Sequence, residues 1–247
     1  MNSRTVGALG LLGAGALAAV AWGRFLPRPA VRRVLPPAYL GRIPVIGLVN
    51  HVIGVGDAAR ITARLSELGD QPVVMLIHTL GGPLQPVVQI ARAVHRHGKV
   101  AVFVPFHALS GGTLIGLAAQ AIHMWPHATL GPVDPQIGPF SASSLLAVLD
   151  AKPVETIDDY TLALAHEAKK AIQQTTELTA AFVGDRPELI RRLVAGVTTH
   201  SYPISLEEAR AMGLEVHAAD PHAVAQAFVR ALVPAQEIGP WESFDLR

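Results

Sequence analysis

The sequence contains no cysteine, so disulfide staples, thiolate metal sites and cysteine nucleophiles are all excluded. Aromatic residues make up only 5% of it, too few for base-stacking platforms. Charge of either sign is also scarce: 20 Lys and Arg oppose 19 Asp and Glu, for a formal charge of +1. Without a basic excess, no nucleic-acid partner is expected. The lack of cysteine does not identify a compartment, because a thiol-free chain folds in either redox environment. What the chain does have is apolar surface: 50% of its 247 residues are hydrophobic. That balance excludes a disordered chain and calls for an extensive core, a membrane segment, or both. The length suits one good-sized domain or two small ones.

Thr5 to Gly23 form an uncharged run of 19 residues. As a helix it would extend about 28 Å, close to the hydrocarbon thickness of a bilayer. Its Gly and Ala content favours close helix packing, with Ala14 and Ala18 offering a small-residue seam. Two other readings compete: a signal peptide cleaved after Ala19-Val20-Ala21, and a buried helix, for which the glycines are ill suited. Charge favours the anchor. Arg4 alone precedes the run, whereas Arg24, Arg28, Arg32, Arg33 and Arg42 follow it, with no acid before Asp57. Basic residues resist export, so the body is expected on the cytoplasmic side of a single-pass membrane helix. Residues 1–23 are thus read as the anchor. Residues 24–42 form an Arg- and Pro-rich linker able to meet anionic headgroups, and whether the anchor is retained or cleaved stays open.

From Ile43 onward short apolar runs alternate with amphipathic ones. Strands are predicted at Pro44–Val49, Val73–His78 and Val100–Pro105, with weaker ones at Ala121–Trp125 and Ala128–Leu130. Helices are predicted at Ala58–Leu68 and Val87–His95 between the first three. Continuous apolar strands separated by such helices imply a mostly parallel sheet covered on both faces. After Gly138 the pattern turns helical, at Ser141–Leu149, Asp158–Val183, Pro187–Val194, Ser205–Met212 and His222–Leu232. One α/β domain over 43–232, with a helical second half and an irregular tail over 233–247, is the expectation.

Three segments fall at strand carboxyl ends, where open α/β sheets place their sites. In His78-Thr79-Leu80-Gly81-Gly82-Pro83, paired glycines let backbone N–H groups aim at an anion or carbonyl oxygen. In Ala108-Leu109-Ser110-Gly111-Gly112-Thr113, Ser110 opens the apolar helix Leu114–Ala121. A helix cap is the default explanation for a serine there. The glycine pair one strand earlier raises the odds of a nucleophile beside an oxyanion hole. The segment is not the G-x-S-x-G elbow, since Ala108 occupies its first glycine position. The third segment, Leu130–Gly138, is rich in turn formers and serves equally as groove wall or connecting loop.

The segments HTLGGPLQPVVQIARAV, VFVPFHALSGGTLIGLAAQAIHMWPHATLGPVDPQIG and THSYPISLEEARAMGLEV together resemble the serine dehydrogenase proteinase family, from about Ile43 to Val216. These are ClpP-fold serine peptidases related to signal peptide peptidase A. The resemblance implies a ClpP/crotonase-like spiral of ββα units and Ser110 as the nucleophile. It also implies an oxyanion hole from the Gly82 and Gly111 amides, with Gly81 shaping the turn. Relatives of signal peptide peptidase A use a Ser–Lys dyad whose Lys precedes a long helix. Lys152, 42 residues after Ser110, fits that placement as general base. Lys170 is the second candidate, and Lys169 reads as a surface residue. Either base would need desolvation or a nearby cation to act. His200, in Thr199-His200-Ser201-Tyr202-Pro203, matches the family's pattern as an alternative base, a substrate-orienting group or a structural donor. His107 precedes the nucleophile in its turn and reads as a packing residue or as a partner that supports a catalytic group.

Asp158 and Asp159 read as the cap and first-turn acid of the long helix. No metal site is expected: His95-x-His97 closes an exposed helix, and Pro126 breaks the helical spacing of His123 and His127. No cofactor is expected either, since no G-x-G-x-x-G follows a strand and no Lys sits in a pyridoxal phosphate context. The reading is a membrane-anchored, homo-oligomeric serine peptidase acting on peptides or proteins, membrane-protein segments among them. Its rivals are a crotonase-like acyl-CoA enzyme and a catalytically silent scaffold in which Ser110 is only a cap.

Overall fold

The computed structural model describes residues 38–40, 43–49 and 52–220. The described residues open with the antiparallel strands β1 (Ala38–Leu40), which lies inside the stretch expected as linker, and β2 (Ile43–Val49). Two crossovers follow, through α1 (Val55–Leu68) to β3 (Val73–His78) and through α2 (Leu84–His97) to β4 (Val100–Val104). Next come β5 (His107–Ala108), α3 (Gly111–Leu117), β6 (Ala121–Met124) and β7 (Thr129–Leu130). A hairpin of β8 (Gln136–Ile137) and β9 (Phe140–Ser141) leads into α4 (Ala142–Ala151), a 3-10 turn, and the long α5 (Asp159–Val183). The described residues close with α6 (Pro187–Val194), α7 (Leu206–Ala211) and β10 (Val216–Ala218).

The main sheet runs β1-β2-β3-β4-β6-β10, and every neighbouring pair except β1-β2 is parallel. Its centre is dry. Val73 to Ile77 are all buried, so β3 contributes side chains to both faces, as its unbroken apolar run predicts. Against it pack Ile61, Leu65 and Leu68 of α1 and Val87, Ile90 and Val94 of α2, each set at helical spacing. Fully burying a side chain of this size contributes ~1.5–3 kcal/mol.

Coverage of both faces does not extend across the whole sheet. Residues of β4 and β6 alternate between buried and half-buried, so the chain packs one face of these strands more fully than the other. On the thinner face Phe103, His123 and His217 lie in register, with ring centroids 5.0 and 5.2 Å apart. Burial and the neighbouring His217 hold His123 below the ordinary imidazole value.

A second, shorter β layer joins the strand ends. Thr79 bridges Ala108, β5 pairs with β7, and Leu130 bridges Ile204. Backbone bonds of 2.8–3.1 Å carry this ladder, from Thr79 N to His107 O, Thr129 N to Phe106 O, and Ile204 N to Leu130 O. Of this layer β7 falls within the strand predicted at Ala128–Leu130, whereas β5 and β10 are not predicted by the sequence patterns, each being only two or three residues long. The expected anchor over Thr5–Gly23 and the helix over His222–Leu232 lie outside the described residues. Among those described, no helix is long and apolar enough to cross a membrane.

Candidate active site

The short ladder brings together four loops that are far apart in sequence. Thr79 leads into Leu80-Gly81-Gly82, and Ala108 into Leu109-Ser110-Gly111. Leu130 leads into Gly131–Asp134, and Ile204 is reached from His200. All four border one cleft of about 390 Å³, lined among others by Gly82, Ser110, Gly111, Asp134, Gln136 and His200. Thr113 ties the wall together: its buried hydroxyl lies 2.7 Å from Ala108 O and 2.9 Å from Gly131 O, and accepts from Gly131 N at 3.0 Å.

Ser110 stands at the start of α3 but does not cap it. Three other helices have side-chain caps: Ser141 accepts from Ser144 N, Asp158 from Thr161 N and Ser205 from Glu208 N, at 2.9–3.2 Å. The Ser110 hydroxyl makes no such bond, so the capping explanation fails. Its backbone is held at φ 49° and ψ −115°, and among the described residues no other non-glycine has a positive φ. Such a conformation costs on the order of 1–3 kcal/mol and persists only where the surroundings impose it. Ser110 lines the cleft from this turn.

The glycine pair meets this turn directly. Gly81 has φ 102°, and a Cβ built on it would lie 2.8 Å from Ser110 Cβ and 2.9 Å from Gly111 N. At Gly82 a Cβ would collide with Ile53 O at 2.5 Å. Ile53 N in turn donates to Gly81 O at 2.7 Å, fixing the loop's orientation. Among the described residues, the amides of Gly82 and Gly111 have no hydrogen-bond acceptor. Two unspent N–H groups are what an oxyanion hole needs, and the unspent hydroxyl beside them is what a nucleophile needs.

Across the cleft, His200 Nδ1 donates to Asp134 Oδ1 at 2.8 Å. The carboxylate can only accept, so this bond leaves the Nε2 lone pair on the far side of the ring. The Asp134 side chain is 2% exposed and that of His200 is 31% exposed. Gln136 Nε2 donates to the second oxygen, Asp134 Oδ2, at 2.8 Å, so both carboxylate oxygens are engaged. The sequence places His200 among the candidates but reads the Asp134 loop as groove wall or connecting loop. The acid in that strand-end loop, flanked by Pro132, Val133 and Pro135, was the available signal.

Neither candidate lysine lines the cleft. Lys152 is exposed at the C-cap of α4. Lys170 is 65% exposed and ion-paired with Glu167 at 2.6 Å. The face of α5 turned to the cleft carries Ala171 and Thr175, four residues apart, and this turns Lys170 outward. Lys169 is exposed as well, and the His107 ring packs 4.1 Å from that of His78. Asp158 and Asp159 occupy the cap and first turn of α5, as their sequence position predicts. Hydrogen bonds from the Thr161 amide and hydroxyl hold the Asp158 carboxyl below its ordinary value. Among the described residues no three His, Asp or Glu side chains gather as a metal site.

Comparison with known proteins follows the same line. A family described as ClpP-like SDH-type serine proteinase matches residues 39–235. The uncharacterized protein MJ0137 of Methanocaldococcus jannaschii is 43% identical over 162 residues, covering 63% of this chain and 57% of the relative. A second uncharacterized protein of that organism, MJ1495, is 39% identical over 162 residues, covering 63% and 55%. The chain therefore spans little more than half the length of these curated relatives. With the family match reaching across all four loops of the cleft and most of the sequence, the chain belongs to the ClpP-like SDH-type serine proteinases.

Proposed function

We propose that this protein hydrolyses peptide bonds with Ser110 as nucleophile, His200 as general base and Asp134 as the group that orients it. The observation that carries the reading is Ser110 itself. It is a strained, uncapped serine sharing one cleft with two unpaired amides and a His–Asp pair. Ser110 Oγ attacks the scissile carbonyl carbon while its proton passes to His200 Nε2. The carbonyl oxygen takes the electron pair and is met by the Gly82 and Gly111 amides. His200 then gives the proton to the departing amine, leaving an acyl-Ser110 ester. Water enters, loses a proton to His200, and attacks the ester; Ser110 recovers its proton as the acid leaves. Asp134 stays an acceptor throughout and stabilises the imidazolium that forms twice per cycle.

This reading moves the base from Lys152 or Lys170 to His200. The support is position: His200 borders the cleft with Ser110, whereas both lysines are exposed and outside its lining. Ser110→Ala should abolish peptide hydrolysis while leaving the circular dichroism spectrum and melting profile intact. Full activity in that variant would refute the assignment.

The site's setting is part of the proposal. The uncharged run Thr5–Gly23 and the arginines after it support a single-pass anchor with the peptidase body on the cytoplasmic side, assembled as a homo-oligomer. Peptide segments released near the membrane then become natural substrates. Fractionation of cells expressing the full chain should place it with membranes and resist carbonate extraction. Recovery in the soluble fraction would remove the anchor from the account.

A further inference from the structure

We propose that Thr175 selects the substrate, and that the side chain it receives is uncharged with a hydrogen-bonding end, of which glutamine is the type. The inference rests on Ser110 acting as a peptidase nucleophile. Apart from the catalytic groups, the cleft wall is mostly aliphatic, with Leu84, Val87, Leu114 and Val133 facing Ala171 and Thr175 of α5. Its only ionisable residues are Asp134 and His200, and these are already joined to each other. A charged substrate side chain would therefore lose its water and find no counter-ion.

Besides Gln136, whose amide nitrogen is already bound to Asp134, Thr175 is the exception in that wall. It is 4% exposed, yet its hydroxyl has no hydrogen-bond partner among the described residues. Three other helical hydroxyls are spent on the carbonyl one turn back. Thr62 donates to Ala58 O at 2.7 Å, Ser66 to Thr62 O at 3.0 Å and Thr179 to Thr175 O at 2.8 Å. Thr175 leaves the Ala171 carbonyl alone, although the same bond was open to it. A wholly aliphatic guest would seal this hydroxyl away from water without a partner. A guest ending in an amide or hydroxyl completes it, and a site built on a buried polar group discriminates more sharply than an apolar one.

The test uses the full chain in detergent and three peptides that differ only in the residue preceding the scissile bond: glutamine, its near-isostere methionine, and glutamate. We expect kcat/KM for glutamine to exceed that for methionine by about tenfold, with glutamate slowest. Thr175→Val should bring the glutamine-to-methionine ratio close to one, while Thr175→Ser should preserve it. A general loss of packing would lower both rates and leave the ratio unmoved. Wild-type preference for methionine overturns the proposal, and so does a ratio unchanged in Thr175→Val. If the valine variant does not fold, the wild-type ratio and Thr175→Ser decide. Cleavage that needs Ser110 but shows no glutamine preference sinks this inference alone. Absence of both cleavage and Ser110 labelling sinks the peptidase reading and this one with it.

Discussion

Ser110 and Thr113 sit three residues apart in one turn, and physical chemistry assigns them opposite roles. Ser110 keeps its hydroxyl unspent at the expense of a strained backbone, whereas Thr113 commits its hydroxyl fully. Thr113→Val should leave the buried Gly131 amide and the Ala108 carbonyl without that partner, at a cost of about 1–3 kcal/mol. For a chain of this size the melting temperature should fall by roughly 3–10 °C. Hydrolysis should fall too, because Gly131 begins the loop that holds Asp134. A melting temperature within a degree of wild type would show that the bridge contributes nothing. In the sequence this threonine is visible only as the end of Ser-Gly-Gly-Thr. Its role emerges when β7 is brought beside β5, which sets Gly131, 18 residues later in the chain, against Thr113.

Among the elements, those with long periodic signals were legible, and of the short strands only β6 and β7 were. The spans of β3 and α6 coincide with their predicted bounds, since each presents an uninterrupted apolar run or a clear amphipathic turn pattern. The ladder through Thr79, Ala108, Leu130 and Ile204 offers no such period. Yet it is what draws the glycine loop, the Ser110 turn, Asp134 and His200 together. Asp134 and His200 are separated by 66 residues, so no spacing rule connects them. The lysine reading followed chain distance from related peptidases and could not see which face of α5 meets the cleft.

The edge of the sheet at β6 and β10 makes a further prediction. His123 sits below the ordinary imidazole value because it is partly desolvated beside His217. Its neutral form is therefore the one favoured by folding. The stabilisation is complete above the unfolded value of about 6.5 and is lost as pH falls through the depressed folded value. His97, also lowered by burial, contributes in the same direction. Urea titrations from pH 7.5 downward should show stability declining on the acid side, with a shallower decline in His123→Gln. Identical slopes in the two proteins would assign the acid loss to other groups.

At the scale of the whole molecule, a parallel sheet supplies rigid strand ends and the small crossing layer turns them into a site. The glycine loop, the Ser110 turn, the Asp134 loop and the His200 loop each leave one rung of that layer toward the same cleft. Family membership and site geometry therefore point to one chemistry by separate routes. The central claim is that Ser110 is activated by His200. The measurement that reaches it most directly is fluorophosphonate labelling of the detergent-solubilised full chain, with the modified residue mapped by mass spectrometry. The account predicts modification at Ser110 in the wild type and in Lys152→Ala and Lys170→Ala, and its loss in His200→Ala. Labelling that survives in His200→Ala but disappears with either lysine would return the base to that lysine. An unlabelled Ser110 in the folded protein would contradict the nucleophile itself.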